Sequence, residues 1–139
     1  MQSSVKAVPS VREIAGRADA ERALARALAS PDRAPRYAAL FLAGHISRLL
    51  EDGDATTADR AMVAYVQDLI RVLRPGDRVY RWSGSSLLVL LGRETTPVVV
   101  RAEVDRLPVF GVRDVVDLRR HWSIGGLCWE LDIFVAQHI

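Results

Sequence analysis

The sequence predicts a single α+β domain in which helices cover an antiparallel sheet. Three observations carry this prediction. The apolar periodicities follow the order helix, strand, helix, strand, strand, helix, strand. The two central strands are separated only by a tight polar turn, and the chain of 139 residues, half of them hydrophobic, is long enough to bury one core. We expect the domain to span residues 11–139, with residues 1–10 as a linker or a disordered N-terminus.

The first two elements are a helix and a buried strand. Residues 11–29 carry a loose apolar face at helical spacing, which predicts an N-terminal helix. Two prolines then break the pattern. The nearly continuous apolar run at residues 36–43 is short enough for a strand that is buried on both faces.

The middle of the chain predicts a helix followed by a hairpin. Apolar residues recur at helical spacing from residue 57 or 59 to residue 73, and the proline–glycine pair at 75–76 ends the helix. Two apolar runs follow, at residues 78–82 and 86–91. They are joined through Ser83-Gly84-Ser85, so we expect a tight hairpin.

The last elements are a second crossover helix and a final strand. Thr96 is a suitable N-cap, a proline follows it, and residues 98–107 fit a helix, although three consecutive valines favour a strand. After a loop, residues 119–129 predict the last strand, with a break at Gly125-Gly126. Together the elements predict a ferredoxin-like βαββαβ sheet behind an N-terminal helix.

Composition restricts the class of protein. The net charge of +2 comes from arginines scattered among nearly as many acids, which does not indicate a DNA- or RNA-binding face. Cys128 is the only cysteine, which excludes an internal disulfide and a cysteine-based zinc site. No apolar run has the length of a membrane span and no signal-peptide core is present. We therefore expect a cytoplasmic protein with no cofactor.

The serines of the hairpin tip are the first candidates for chemistry. A serine nucleophile needs a base within hydrogen-bond reach, and the sequence does not place His45, His121 or His138 near the tip. A Mg²⁺ site needs carboxylates, which the tip lacks. Serine and glycine are also ordinary turn residues, and this interpretation is favoured.

The turn Arg74-Pro75-Gly76-Asp77 is the second candidate. Its guanidinium could hold a phosphate or the Hoogsteen edge of guanine, and its carboxylate could accept hydrogen bonds from guanine. An arginine at the end of a helix and an aspartate in a turn are also common for structural reasons. From the residues alone, the structural interpretation is favoured and the ligand site stays open.

The segment from residue 69 to residue 91, L-IRVLRPGDRVYRWSGSSLLVLL, resembles the central part of a GGDEF domain, the diguanylate cyclase fold. It matches the family's pattern of a helix, R-x-x-D, an arginine–aromatic pair and the G-G-[DE]-E-F hairpin. The match extends unevenly from Arg17 to Gly125, where W122-SIG125 is similar to the family's late strand. The family's last helix has no counterpart, which implies a truncated C-terminal end.

The chain departs from the family where the cyclase binds metal and substrate. The metal-binding aspartate that ends the family's first strand corresponds to Leu42, and the second aspartate of D-x-D corresponds to Gly44. The acids of the signature correspond to Ser85 and Ser86. Leu50 stands for the asparagine that reads guanine, whereas Asp59 keeps the identity of a second guanine contact. The resemblance is therefore to a degenerate GGDEF domain, and we expect no cyclase activity, no metal site and no catalytic residues.

The resemblance also gives Arg74 and Asp77 a role. In the family this R-x-x-D pair is an inhibitory site that binds c-di-GMP, and it recruits a further arginine from the following helix, for which Arg101 and Arg106 are the candidates here. The main hypothesis is an inactive c-di-GMP receptor that signals to another domain or protein. The alternative is a module for dimerisation or protein interaction that binds no nucleotide.

Overall fold

The computed structural model describes residues 14–29, 37–108, 112–119 and 122–124. The predicted linker at 1–10, the break at Gly125-Gly126 and the truncated C-terminal end lie outside these residues. The elements are α1 (Arg17–Ala29), β1 (Tyr37–Leu42), α2 (Gly44–Glu51), α3 (Ala55–Val72), β2 (Arg78–Ser83), β3 (Ser86–Leu91), α4 (Pro97–Asp105), β4 (Val112–Asp117) and β5 (Trp122–Ile124).

The strands form one sheet in the order β2-β3-β1-β4-β5, and every neighbouring pair is antiparallel. The first four strands have the ferredoxin-like order, because the connection through α2 and α3 leads from β1 past β3 to β2. The predicted α+β class and ferredoxin-like sheet are therefore confirmed. Residues 14–16 lie against the other side of β2, where the Arg81 amide donates to the Ala15 carbonyl at 2.7 Å.

Helices cover both faces of the sheet, which explains why β1 reads as a continuous apolar run. Tyr37, Ala39 and Phe41 belong to one core, together with the buried faces of α3 and α4. Ala38 and Leu40 belong to a second core on the opposite face, formed with α1. Successive residues of a strand point to opposite faces, so a strand between two layers must be apolar throughout.

The helix α3 begins and ends where short-range signals place it. The Asp54 carboxylate accepts a hydrogen bond from the Thr57 amide at 3.2 Å and caps the first turn. Hydrogen bonds from the Thr57 side chain and backbone hold the pKa of Asp54 below its ordinary value. After the helix, Gly76 adopts a φ of 95°, a conformation that glycine tolerates and other residues avoid.

The hairpin and α4 follow their sequence signals. The hairpin from β2 to β3 turns at Gly84 and Ser85, as predicted. Thr96 takes the N-cap position of α4, but its side chain makes no capping hydrogen bond. The valines divide between the two sides of the helix, since Val100 is buried whereas Val98 is 78% exposed.

Two predictions about secondary structure are corrected. The segment after β1 contains the helix α2, which buries Ile46 and was not predicted. The fourth strand of the sheet is β4, which lies in the segment predicted as a loop, and the described part of the predicted strand at 119–129 contains the short fifth strand β5. The sequence of β4 is misleading because it carries Asp114 and Asp117, and aspartate is depleted in strands.

Candidate functional site

The serines of the hairpin tip, residues 83–86, bond to one another. The Ser83 and Ser86 hydroxyl oxygens are 2.5 Å apart, and the Ser85 amide donates to the Ser83 hydroxyl at 3.4 Å. Ser86 is buried. His45, the histidine within the described residues, instead bonds to the Tyr65 hydroxyl at 3.1 Å. The tip therefore has the hydrogen bonding of a structural turn, and within the part of the chain that the structure describes no base bonds to its serines.

The fold brings the positions that match the cyclase metal site together around the tip. Leu42 stands opposite Ser86 in the sheet, and Ala43, which precedes Gly44, donates its amide to the Ser85 carbonyl at 2.9 Å. None of these positions carries a carboxylate. Within the described ranges, no group of three or more His, Cys, Asp or Glu side chains could hold a metal ion.

An apolar side chain of α2 closes over the same tip. A Cβ atom built on Gly84 would lie only 2.7 Å from Leu50 Cδ1, so Leu50 packs directly against the turn. Leu42, at the end of β1, remains 42% exposed. The tip therefore faces leucine at the position where the family places an asparagine that reads guanine.

Asp59, which the resemblance assigns as a guanine contact, is engaged by Arg81. The Arg81 Nη2 atom lies 2.9 Å from Asp59 Oδ1 and 2.9 Å from the Gly84 carbonyl. The Arg81 Nε atom is buried and has no hydrogen-bond partner among the described residues. Asp59 therefore fixes the hairpin to α3 through Arg81. Its side chain is 40% exposed beside a shallow groove of about 400 Å³.

Arg74 and Asp77 form a closed turn at the end of α3. The Asp77 amide donates to the Arg74 carbonyl at 3.1 Å, and the Arg74 amide donates to Asp77 Oδ2 at 2.9 Å. The two charged side chains have different surroundings, because the Asp77 side chain is only 2% exposed whereas that of Arg74 is 61% exposed. Asp77 is therefore a buried carboxylate, and its partner is a third residue.

That partner is Arg93, in the loop between β3 and α4. Its Nη1 and Nη2 atoms donate to the two Asp77 oxygens, each at 2.9 Å, and its Nε atom donates to Glu103 Oε2 at 2.7 Å. The side chain of Arg93 is 5% exposed. Burial opposes its charge, but the hydrogen bonds to Asp77 and Glu103 prevail and raise the pKa of Arg93 above its usual range.

Glu103 completes the cluster. Its Oε1 atom accepts from Arg74 Nη2 at 3.1 Å, so this α4 carboxylate bridges Arg74 and Arg93. We call Arg74, Asp77, Arg93 and Glu103 the Arg93 network. Neither Arg93 nor Glu103 was identified from the sequence. The one signal was an arginine placed directly after the apolar run at residues 87–91 and a glycine, which indicates a charge at the edge of the core.

The two arginines proposed from α4 are placed elsewhere on the helix. Arg101 pairs with Asp105 within α4, Nε to Oδ1 at 3.3 Å, and Arg106 is exposed at the C-cap. The α4 side chain that hydrogen-bonds to Arg74 is thus an acid, Glu103. Next to this turn lies a groove of about 390 Å³ whose walls are mostly apolar. It is lined by Ile14, Ala15, Val66, Ile70, Leu73, Arg74, Pro75, Gly76, Asp77, Arg78 and Val79.

Comparison with known proteins identifies the fold. No protein-family model and no curated protein sequence match the chain. A Vibrio cholerae LapD S helix–GGDEF–EAL structure bound to c-di-GMP is similar over 81% of this chain and 29% of its own, with 18% identity and a TM-score of 0.62. The chain therefore spans less than a third of that protein.

Two further structures agree. The GGDEF domain of Pseudomonas aeruginosa YfiN (TpbB) matches over 79% of this chain and 73% of its own, with 21% identity and a TM-score of 0.56. A microbial GGDEF domain studied with c-di-GMP matches over 81% and 82%, with 16% identity and a TM-score of 0.50. These matches, with the strand order and the hairpin tip, show that the chain has a GGDEF-type fold.

Proposed function

We propose that this domain is a catalytically inactive GGDEF-type signalling module that acts through binding. The observation that carries the proposal is that the four positions that match the cyclase acids carry no carboxylate: they are Leu42, Gly44, Ser85 and Ser86. Phosphoryl transfer by this chemistry depends on Mg²⁺ held by carboxylates, which neutralises the triphosphate and the attacking oxygen. Neutral hydroxyls do not supply that charge.

The test is a cyclase assay. Purified protein is incubated with GTP and Mg²⁺, and c-di-GMP is sought by chromatography beside an active cyclase. We expect no product. The Ser85→Ala/Ser86→Ala variant is the matched control, because it separates turnover at this tip from a contaminating enzyme. Product from the wild type that disappears in this variant would contradict the proposal.

The mode of binding that the geometry supports best is interaction with protein, without a nucleotide. Both charged side chains of the R-x-x-D turn already have partners within the chain, and Leu50 packs against the tip. Exposed apolar side chains are available for contacts, including Val98 at 78% and Val99 at 53% on α4. The partner would be a second copy of the chain or another signalling domain, in keeping with the expected cytoplasmic location.

Sedimentation velocity over a range of concentrations, with and without c-di-GMP, tests this mode. We expect self-association that c-di-GMP does not change and that Val98→Glu weakens. Ala102→Glu places the same charge at another exposed position of α4 and should have a smaller effect. A protein that stays monomeric at every concentration, and for which pull-downs yield no partner, would count against an interaction module.

No helix among the described residues is long and apolar enough to cross a membrane.

A second candidate function is that of a c-di-GMP receptor. It is favoured by the exposure of Arg74 beside the groove, and by c-di-GMP in two of the similar structures. Arg74 would hold a phosphate, Asp77 would accept from a guanine, and Arg101 or Arg106 would act as the clamp. The burial of Asp77 requires the turn to open before it could contact a base.

Calorimetric titration of c-di-GMP tests the receptor function. Arg74→Ala should abolish the heat of binding, whereas Arg71→Ala should not, because Arg71 is an exposed arginine of the same helix paired only locally with Asp68. A wild-type protein that gives no heat at high micromolar c-di-GMP would exclude the receptor function.

A further inference from the structure

We propose that Glu103 is an internal competitor for Arg74, and that together with Arg93 it limits this site to the phosphate groups of a ligand. This inference rests on the second candidate function, since it describes how c-di-GMP would be received. It makes Glu103 a regulatory residue of the site and removes Asp77 from the set of ligand contacts.

The competition follows from the chemistry of the pair. A carboxylate and a phosphate are alternative acceptors for the same guanidinium donors, and Glu103 Oε1 already accepts from Arg74 Nη2 at 3.1 Å. A phosphodiester that approaches Arg74 must share or replace this hydrogen bond. It also meets the negative charge of Glu103 beside its binding position. Glu103 therefore weakens anion binding in two ways: it occupies a hydrogen-bond donor of Arg74, and its charge repels the anion.

Two of the three ion pairs of the Arg93 network, Arg74–Glu103 and Arg93–Asp77, differ in how easily they open. The side chains of Arg74 and Glu103 are 61% and 32% exposed, so this pair is solvated and contributes little to the folded state. The side chains of Arg93 and Asp77 are 5% and 2% exposed, so separating them would leave a charge buried without a partner. A ligand can therefore displace Glu103 from Arg74 but not Arg93 from Asp77.

This difference determines what the site can recognise. Glu103 keeps its hydrogen bond to Arg93 Nε at 2.7 Å when Arg74 leaves, so the remainder of the network stays in place. Asp77 keeps both oxygens on Arg93, and its side chain, only 2% exposed, is shielded from the N1–H and N2–H₂ groups of guanine. With Arg74 on a phosphate and Asp77 on Arg93, neither charged residue of the turn is left to distinguish guanine from adenine.

The experiment compares Glu103→Gln with the wild type by titration with c-di-GMP and with its adenine counterpart c-di-AMP at low ionic strength. Glutamine keeps the shape and an acceptor for Arg93, and unfolding transitions verify that the variant is folded. We expect both dinucleotides to bind on the order of tenfold tighter, as removal of one adjacent like charge near a protein surface permits. Asp68→Asn, which removes an exposed charge of α3 that pairs locally with Arg71, should change neither affinity by more than about twofold.

The outcomes separate the inference from the receptor function. Wild-type binding of c-di-GMP that Glu103→Gln leaves unchanged overturns the inference and retains the receptor. A gain for c-di-GMP alone overturns the restriction to phosphate. If no dinucleotide binds, the receptor function fails. Pyrophosphate then serves as the probe, and its binding is monitored by the NMR chemical shifts of residues 74–77. Pyrophosphate binding to Glu103→Gln, but not to Glu103→Gln/Arg74→Ala, supports the inference, and its absence overturns it.

Discussion

Replacement of Arg93 by methionine is the most direct test of the buried part of the network. The substitution removes three hydrogen bonds, two to Asp77 at 2.9 Å and one to Glu103 at 2.7 Å. It leaves the Asp77 carboxylate, with a side chain 2% exposed, with the Arg74 amide as its one remaining hydrogen-bond donor among the described residues. Breaking a buried pair by removing one partner costs about 3–5 kcal/mol.

This cost is large compared with the stability of a domain, which is typically about 5–15 kcal/mol. Urea unfolding followed by circular dichroism should show the loss directly, and thermal unfolding should show a Tm lower by about 10 °C. Arg74→Met is the matched control, because the side chain of Arg74 is 61% exposed and its loss should cost less than about 1 kcal/mol.

A second variant separates buried charge from lost packing. Arg93→Met/Asp77→Asn removes the uncompensated carboxylate as well, so it should be more stable than Arg93→Met alone by at least about 1 kcal/mol. The reasoning would be refuted if Arg93→Met were no more destabilised than Arg74→Met, or if the Asp77→Asn change gave no recovery.

Three further substitutions test other features. Gly76→Ala should lower the free energy of unfolding in urea by about 1–2 kcal/mol, because the φ of Gly76 is 95°. Gly92→Ala, which places its Cβ in open space, should be near neutral, and equal effects of the two substitutions would contradict this reasoning. Gly84→Ala should cost about 1 kcal/mol in the wild type and almost nothing in a Leu50→Ala background, and equal costs in both would show that Leu50 does not pack on the turn. Asp54→Ala should destabilise the domain near neutral pH. The folded pKa of Asp54 lies below the unfolded value of 3.8, so the charge of Asp54 stabilises the wild type above pH 3.8. This part of the stability difference between wild type and variant should disappear as the pH falls through the folded pKa, which thermal unfolding at a series of pH values measures.

The parts of the fold that were predicted depend on signals within a few residues. The helix α3 has a regular apolar period and a proline–glycine stop, and the hairpin has two apolar runs around a serine–glycine turn. The strand β4 was not predicted because Asp114 and Asp117 are buried in it, and local propensity treats aspartate as a residue of turns. The short helix α2 was not separated from the loop around it.

The partners of the R-x-x-D turn could not be predicted, because they are distant in sequence. Arg74 and Asp77 were identified by their spacing. Arg93 lies 16 residues after Asp77, and Glu103 lies 29 residues after Arg74. Whether a carboxylate faces solvent or an arginine is decided by how α4 and its preceding loop pack, and no local pattern reports that packing. The R-x-x-D motif could be recognised in the sequence, but the ion pairs that its side chains form could not.

The residue Arg81 has a mechanical consequence. Its amide holds the chain ahead of α1 through the Ala15 carbonyl, and its guanidinium holds both Asp59 of α3 and the Gly84 carbonyl of the hairpin turn. A force on the chain that enters α1 is therefore transmitted to β2, and the Arg81 guanidinium links that strand to α3 and braces the turn. The segment before α1, the hairpin turn and the helix α3 thus meet at one residue, so the loss of the Arg81 side chain would uncouple α3 from the hairpin without changing the sheet ladder.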